Sequence, residues 1–172
     1  MTTNQLNDNE FDSYYSRYIN KLKSTVELRK GFKTQSEVLI DFFNSIPEEK
    51  LDFRYEKHKW TVKEILQHLI DTERIFIYRC FRIARRDKLH LAGFDQNIYV
   101  APSGASNKPI SALIAEFRIN RQGSISLLGS LTDNNLSYIG NADGNAISAR
   151  AAAFIILGHE IWHMDIIKEK YL

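Results

Sequence analysis

Long stretches free of helix-breaking residues constrain the fold of this chain more than any other feature. Only three prolines and eight glycines occur in 172 residues, and Pro47, Pro102 and Pro109 lie between segments with helical periodicity. Proline removes a backbone donor and clashes inside a helix, so its positions indicate where helices end. Strand signals are weak everywhere, and residues 134–147 have room for a turn or a brief hairpin at most. The pattern predicts a few long helices.

The clearest predicted helix, the second of the long ones, begins at Thr61. Thr61 and Glu64 match a capping box, in which each side chain bonds the backbone N–H of the other residue. Apolar residues then recur at helical spacing as far as about Asp87. They form one stripe that consists of Val62, Ile65, Leu66, Leu69, Phe76 and Cys80.

Three other segments also have the periodicity of helices. Thr34 and Glu37 match a capping box and predict a first long helix over 34–44. A third long helix is predicted over 109–131, with proline in its first turn, and a last one over 148–170, with a serine as N-cap. Four helices of this length are typical of a four-helix bundle, so the sequence predicts an all-α fold of that architecture.

The remaining segments are predicted to be loops and termini of one domain, residues 1–172. Residues 1–12 are polar and are predicted to form a flexible tail. The segment 14–28 is predicted as a short helix or an extended arm. Residues 89–108, rich in glycine, serine and asparagine, are predicted as a long irregular loop between the second and third long helices. Loops of that length in a small domain often carry function.

Composition excludes several classes of partner. The 23 basic and 21 acidic residues leave a net charge of +2, which gives no basis for nucleic acid or an anionic membrane as the main partner. No apolar run reaches the roughly 18 residues of a membrane span. The start, MTTNQLNDNEFD, lacks the basic and apolar parts of a signal peptide. Because Cys80 is the single cysteine, no internal disulfide can form, and we expect a soluble protein in the cytoplasm.

Two histidines occupy the apolar stripe of the last predicted helix. His159 and His163 are four residues apart, so their imidazoles are neighbours on one face. Burying two imidazoles in hydrocarbon is costly unless their nitrogens find polar partners. One divalent metal would supply a partner to both. Hydrogen bonds to backbone or carboxylate groups of the core are the alternative, and both interpretations remain open on this pair alone.

The string His159-Glu160-Ile161-Trp162-His163 matches the H-E-x-x-H motif of zinc proteases, which take a third ligand downstream. Only nine residues follow His163 and none is histidine, so this interpretation is disfavoured. His68, at the edge of the stripe of the second long helix, is the upstream candidate. Three imidazoles from facing helices can hold one ion and leave a fourth position open for water, although His68 could also be an ordinary boundary histidine.

Two carboxylates are candidates for catalysis around such an ion. Asp71 is predicted on the same side of its helix as His68, and Glu160 follows the first histidine of the last helix. Each could act as a base or orient a ligand, and a solvated carboxylate is an equal alternative for Asp71. A third, Glu73, lies within an apolar stripe and needs a partner, for which we expect Arg118 or Arg121. That partnership would be a structural ion pair or would orient a ligand.

The end of the second long helix is strongly basic. This face is a solvated helix terminus or a docking surface for an acidic thiol or a substrate carboxylate. The residues concerned are Arg74, Arg79, Arg82, Arg85 and Arg86.

Several of these segments together resemble the DinB/YfiT-like superfamily. The resemblance extends from about residue 14 to the end of the chain and is carried by order and spacing rather than by any single motif. Its specific parts are Lys59-Trp60, the string HLIDTE at 68–73, Gly93-Phe94-Asp95, EFRINR at 116–121, Gly158-His159-Glu160, His163 and Tyr171-Leu172. One departure is that Lys57-His58 stands where relatives carry a glycine before Lys-Trp.

The resemblance implies a four-helix bundle in which His68, His159 and His163 bind a divalent metal, zinc or nickel. It also implies a homodimer and an activity on a small-molecule substrate, as a metal-dependent hydrolase or as a thiol S-transferase. The most similar branch contains bacillithiol transferases, which implies a low-molecular-weight thiol as co-substrate. The alternative is a non-catalytic bundle with a structural ion or a stress-response binding module, and a fourth protein ligand would favour that alternative.

Overall fold

A computed structural model describes residues 1–172 and contains eight α-helices and a two-stranded sheet. In chain order the elements are α1 (Ser16–Ile19), α2 (Leu28–Asn44), α3 (Glu48–Leu51), α4 (Val62–Ala84), α5 (Asn97–Ser103), α6 (Ile110–Ser130), α7 (Asp133–Leu136), β1 (Ile139–Ala142), β2 (Asn145–Ser148) and α8 (Ala149–Lys170).

The four long helices form a bundle, which confirms the predicted fold class. Helix α4 packs against α6 and α8, and α2 packs against the same two helices, so α2 and α4 occupy opposite corners. The stripe predicted for the second long helix is buried along its whole length. None of the helices has the length and apolarity that crossing a membrane requires.

A layer of polar side chains divides the core of the bundle into two apolar clusters. One cluster, with Phe76 and Phe154, lies toward the end of α4 and the beginning of α8. The other, with Leu66 and Ile167, lies toward the opposite ends of these helices. Along α2, α6 and α8 the members of one cluster precede the polar residues and those of the other follow them, whereas on α4 Leu69 and Ile70 lie between His68 and Thr72. This polar layer consists of Gln35, Ser36, His68, Thr72, Glu73, Arg121, Ser124, His159, Glu160 and His163.

The predicted starts of α4 and α8 are confirmed by their caps. The N–H of Glu64 donates to the hydroxyl of Thr61 at 3.1 Å, and the N–H of Thr61 donates to the carboxylate of Glu64 at 2.7 Å. The hydroxyl of Ser148 accepts the N–H of Ala151 at 3.0 Å. Both helices therefore begin where local chemistry satisfies their free N–H groups.

The predicted start of the first long helix at Thr34 is wrong. Helix α2 begins at Leu28, and the carboxylate of Glu27 accepts two backbone N–H groups of its first turn. Gly31 lowers the helix propensity of this segment. A Cβ at Gly31 would lie 2.9 Å from a methyl carbon of Leu157 on α8, so glycine permits the close approach of the two helices. The periodicity of α2 alone does not contain that information.

The long connection predicted over 89–108 is present but partly helical. It contains α5, at whose start the carboxylate of Asp95 accepts the N–H of Asn97 at 2.9 Å. Gly104, with φ of +63°, ends the helix in the left-handed region. A seven-residue helix is too short to produce a periodic signal, which explains why the sequence did not indicate it.

The N-terminal residues differ from the flexible tail predicted over 1–12. Backbone hydrogen bonds join the first residues to the segment before α2. Glu10 is buried and accepts the hydroxyl of Ser148 and the Nε–H of Arg150, both at 2.7 Å. These partners are distant in sequence, so no local pattern indicates them. Of the turn or brief hairpin that residues 134–147 have room for, the structure contains the hairpin, in which β1 and β2 pair antiparallel.

One buried ion cluster joins all four long helices. The guanidinium of Arg121 donates to both oxygens of Glu73 at 2.9 Å and also bonds the carboxylate of Glu160. Gln35 donates to the other oxygen of Glu160 at 2.6 Å. The expected partner of Glu73 is therefore found in Arg121, whereas Arg118 is exposed. The cluster fixes how the four helices meet in the polar layer.

Replacing Arg121 by alanine should destabilise the protein by about 3–5 kcal/mol, because two buried carboxylates would lose their cation. The matched change Arg118→Ala on the same helix removes an exposed arginine and should alter stability by less than about 0.5 kcal/mol. Urea unfolding of the two variants measures both values. Equal losses in the two variants would contradict the assigned pairing.

Candidate metal centre

Three histidines from two facing helices meet in the polar layer. His68 comes from α4, and His159 and His163 come from successive turns of α8. The Nε2 atom of His159 lies 3.1 Å from Nε2 of His68 and 3.0 Å from Nε2 of His163. All three side chains are buried. The structure thus brings together the three residues that the sequence singled out, and we call them the histidine triad.

Burial keeps the triad uncharged at neutral pH. It lowers the pKa of His68 to about 4. The pKa of His159 is held well below its usual value by burial and then by the fields of the other two histidines. Burial and the field of His68 do the same to the pKa of His163. Neutral imidazoles are the form that binds metal ions.

The donor set of the triad suits a divalent metal. Two neutral imidazoles can share one proton in a hydrogen bond, but a third nitrogen at the same point is then left without a donor. In a tetrahedral zinc site with bonds of about 2.0–2.1 Å, ligand nitrogens lie about 3.3 Å apart. The observed separations of 3.0 and 3.1 Å are close to that value. The three ligand atoms lie within 4.8 Å of one another, and no cysteine or carboxylate joins them.

Aromatic rings surround the triad and exclude water from much of it. The ring of Trp60 lies 4.7 Å from that of His68 and stacks with His163 at 6.5 Å. The ring of Tyr18 contacts His159 edge-on at 5.0 Å. Burial raises the pKa of the Tyr18 hydroxyl, so this group stays protonated at neutral pH.

A glycine on α8 places Tyr18 beside the triad. A Cβ at Gly158 would lie 2.1 Å from the backbone oxygen of Tyr18, so only glycine lets α1 approach α8 this closely. No local pattern in the segment 14–28 indicates that Tyr18 belongs to the site, because its contact with His159 joins residues that are distant in sequence. The tyrosine run at 14, 15 and 18 and the glycine directly before His159 were the available signals.

Two cavities reach the triad. The first, of about 350 Å³, is lined by Thr72, Arg79 and His159 among others, and we call it the Arg79 cavity. The second, of about 290 Å³, is lined by Trp60, His159 and His163 among others, and we call it the Trp60 cavity. The predicted loop contributes to both through Gln96 and Asn97. Both cavities give small molecules access to His159.

The two carboxylates predicted as catalytic lie outside these cavities. Asp71 pairs with Arg74 at 3.0 Å and lines a space of about 10 Å³ beside His68, which has room for about one water. Glu160 lines neither cavity, because its carboxylate points into the ion cluster with Arg121. The catalytic assignment of both residues stays a prediction. Cys80 is buried in the core with its pKa raised to about 12, as expected for a packing residue.

The fold and the site define a class of helical bundles in which two facing helices place three histidines at one point. The model of the DinB superfamily matches residues 32–167, and the chain belongs to this superfamily.

Among solved structures, the chain is similar to YfiT from Bacillus subtilis, described as a probable metal-dependent hydrolase with an unusual four-helix bundle topology. The TM-score is 0.73 at 15% sequence identity, over 96% of this chain and 90% of that chain. At this identity the similarity shows the fold. No curated protein matches the chain.

Changing Gly158 to alanine should destabilise the protein by about 1–3 kcal/mol, because the added methyl group meets the backbone of α1. In Gly123→Ala the new Cβ meets nothing within 4 Å, so this control should gain about 0.5–1 kcal/mol from helix propensity alone. Thermal unfolding of both variants tests the contrast. A gain in both would show that α1 does not pack on α8 as described.

The triad should bind about one divalent ion per chain. Elemental analysis after reconstitution with zinc or nickel measures the ratio. In His163→Ala the affinity should fall by ~100-fold or more, since even outer-shell partners contribute about 10–100-fold. His90→Ala, which removes an exposed histidine bonded to Asn141, should bind metal like the parent protein. Equal metal content in both variants would contradict the assignment.

Proposed function

We propose that this protein is a metal-dependent enzyme that acts on a small molecule, with His68, His159 and His163 as its metal ligands. One observation carries the proposal: three neutral histidines converge at a point that two cavities reach and that no fourth protein ligand occupies. Catalytic zinc keeps three protein ligands and an open position, whereas structural zinc is closed by four. The arrangement therefore favours catalysis over the alternative of a structural ion.

A zinc or nickel ion held by three imidazoles would supply Lewis acidity and would lower the pKa of a water or thiol that reaches it. The residues of the chain provide an uncharged and partly desolvated site for this chemistry. The triad stays uncharged because it is buried, so no proton has to leave it before an ion binds. Trp60 and Tyr18 limit the access of solvent, which strengthens electrostatic interactions inside the site.

Hydrolysis is the first candidate reaction. The description of YfiT as a probable metal-dependent hydrolase supports it by analogy. In this chain Asp71 would serve as a base only through the small space that it shares with His68. Glu160 would act indirectly, since it lies next to His159 in sequence and bonds Arg121.

Thiol S-transfer is the second candidate, and the Trp60 cavity favours it. Arg17, His58 and Lys59 line this cavity, and no acidic residue does. Such a lining suits a thiol that carries carboxylates. His58 adopts a left-handed conformation with φ of +72°, which a residue with a side chain seldom does and which can mark a functional position.

The proposal also includes a homodimer and a cytoplasmic setting. The cytoplasmic setting is proposed because Cys80 is the single cysteine, so no internal disulfide can form.

The zinc- or nickel-loaded protein should show one of these activities. Small esters and amides test hydrolysis, and a set of low-molecular-weight thiols with an electrophilic dye tests S-transfer. The activity should fall by ~1000-fold in His163→Ala, because the ion supplies most of the activation, and should be unchanged in His90→Ala.

Circular dichroism measures whether the His163→Ala variant is folded, which distinguishes loss of activity from loss of structure. A His163→Ala variant that is folded but inactive supports the enzyme. If His163→Ala unfolds the chain, the ion is structural and the proposal fails. The proposal also fails if the loaded protein turns over none of these compounds.

A further inference from the structure

The chain buries two arginines, and their surroundings differ sharply. Arg121 is 1% exposed and is bonded by two carboxylates. Arg79 on α4 is 2% exposed and forms no ion pair. Its guanidinium donates one hydrogen bond, to the backbone oxygen of Ala92 at 2.9 Å, and its Nε–H is buried without a partner. A buried cation without a counter-ion is costly, so Arg79 needs an explanation.

Aromatic rings hold the guanidinium of Arg79 in place. It lies 4.9 Å from the ring centre of Phe76 and 5.7 Å from that of Phe94. Tyr15 lines the same cavity as Arg79, and the guanidinium opposes the rise that burial causes in the pKa of the Tyr15 hydroxyl. Cation–π contacts of this kind position a guanidinium but leave its N–H groups free to donate.

The free donor belongs to a residue that lines the cavity next to the triad. Arg79 and His159 line the same space of about 350 Å³, which is within the roughly 300–1,000 Å³ of small-molecule sites. Thr72, whose hydroxyl lies 3.4 Å from Nδ1 of His68, also lines it. Arg79 is seven residues beyond Thr72, which corresponds to about 10 Å along the helix. A small molecule can therefore span the distance between Arg79 and the triad.

Three aspartates line the Arg79 cavity but do not neutralise Arg79. Asp12 and Asp95 are engaged in local turns, in which each accepts a backbone N–H, that of Tyr14 at 2.8 Å and that of Asn97 at 2.9 Å. Asp143 and Asp95 are exposed and form no ion pair with Arg79, although the field of Asp143 reaches the hydroxyl of Tyr15. The cavity thus has acidic groups at its rim and one unpaired cation among its buried residues.

Building on the proposed small-molecule function, we propose that Arg79 binds an oxyanion group of the substrate, a carboxylate or a phosphate, and so directs the rest of that molecule toward the histidine triad. Guanidinium groups bind both kinds of oxyanion through two parallel hydrogen bonds, and such bonds are strong where solvent is excluded. The substrate class is then a small acid, with its reacting group at the end remote from the anion.

Thermal unfolding in the presence of simple probes tests this assignment. Sodium acetate and inorganic phosphate, at ionic strength matched with sodium chloride, should raise the Tm of the zinc-loaded protein by roughly 5 °C at saturation. Ethylamine should not. In Arg79→Met the rise should shrink to below about 1 °C, whereas Arg85→Met, which removes an exposed arginine near the same helix end, should keep it.

A third variant and a measurement on metal-free protein complete the test. Arg79→Lys retains the charge but loses the fork of N–H groups, so its affinity for the probes should fall several-fold even if Arg79→Met does not fold. The same measurements on metal-free protein test the role of Arg79 independently of metal binding. If acetate or phosphate raises the Tm of metal-free protein and the rise is lost in Arg79→Met, the assignment of Arg79 holds even if the triad binds no ion. A rise that persists in Arg79→Met, or stabilisation by ethylamine alone, would overturn the assignment.

Discussion

The bundle depends on one buried guanidinium that all four long helices share. Arg121 from α6 bonds Glu73 from α4 and Glu160 from α8, and Gln35 from α2 completes the cluster. Each of these side chains can form its hydrogen bonds only when its helix has the correct axial position and rotation. We therefore infer that the cluster selects the register of the four helices. Two carboxylates share one cation, and burial, with a contribution from Glu73, raises the pKa of Glu160 to about 7.

The same polar layer positions the candidate site. Glu160 and His159 are adjacent on α8, so the contact that fixes one determines the direction of the other. The apolar clusters on both sides keep water from the triad, and desolvation is what holds its imidazoles neutral. The packing of one polar layer between two apolar clusters thus accounts for the ion cluster, for the division of the core and for the neutral histidines. The two cavities then give small molecules access to an otherwise closed interior.

Regular periodicity and local caps explain what the sequence could predict. The stripe of α4, the capping box at Thr61 and the spacing of His159 and His163 are local patterns, and all survive in the structure. Features that depend on distant partners could not be predicted. The close packing of α2 on α8 depends on Gly31, the order of the N-terminal segment depends on Glu10 bonding Arg150, and the direction of the Glu160 carboxylate depends on Arg121.

X-ray absorption at the zinc edge of the reconstituted protein tests the central claim most directly, because it identifies the atoms bound to the ion. The account predicts three imidazole nitrogens at about 2.0–2.1 Å and a remaining light-atom ligand that exchanges with added small molecules. A spectrum with fewer than three imidazoles, with sulfur at about 2.3 Å, or with a fourth ligand that no added molecule displaces would contradict it.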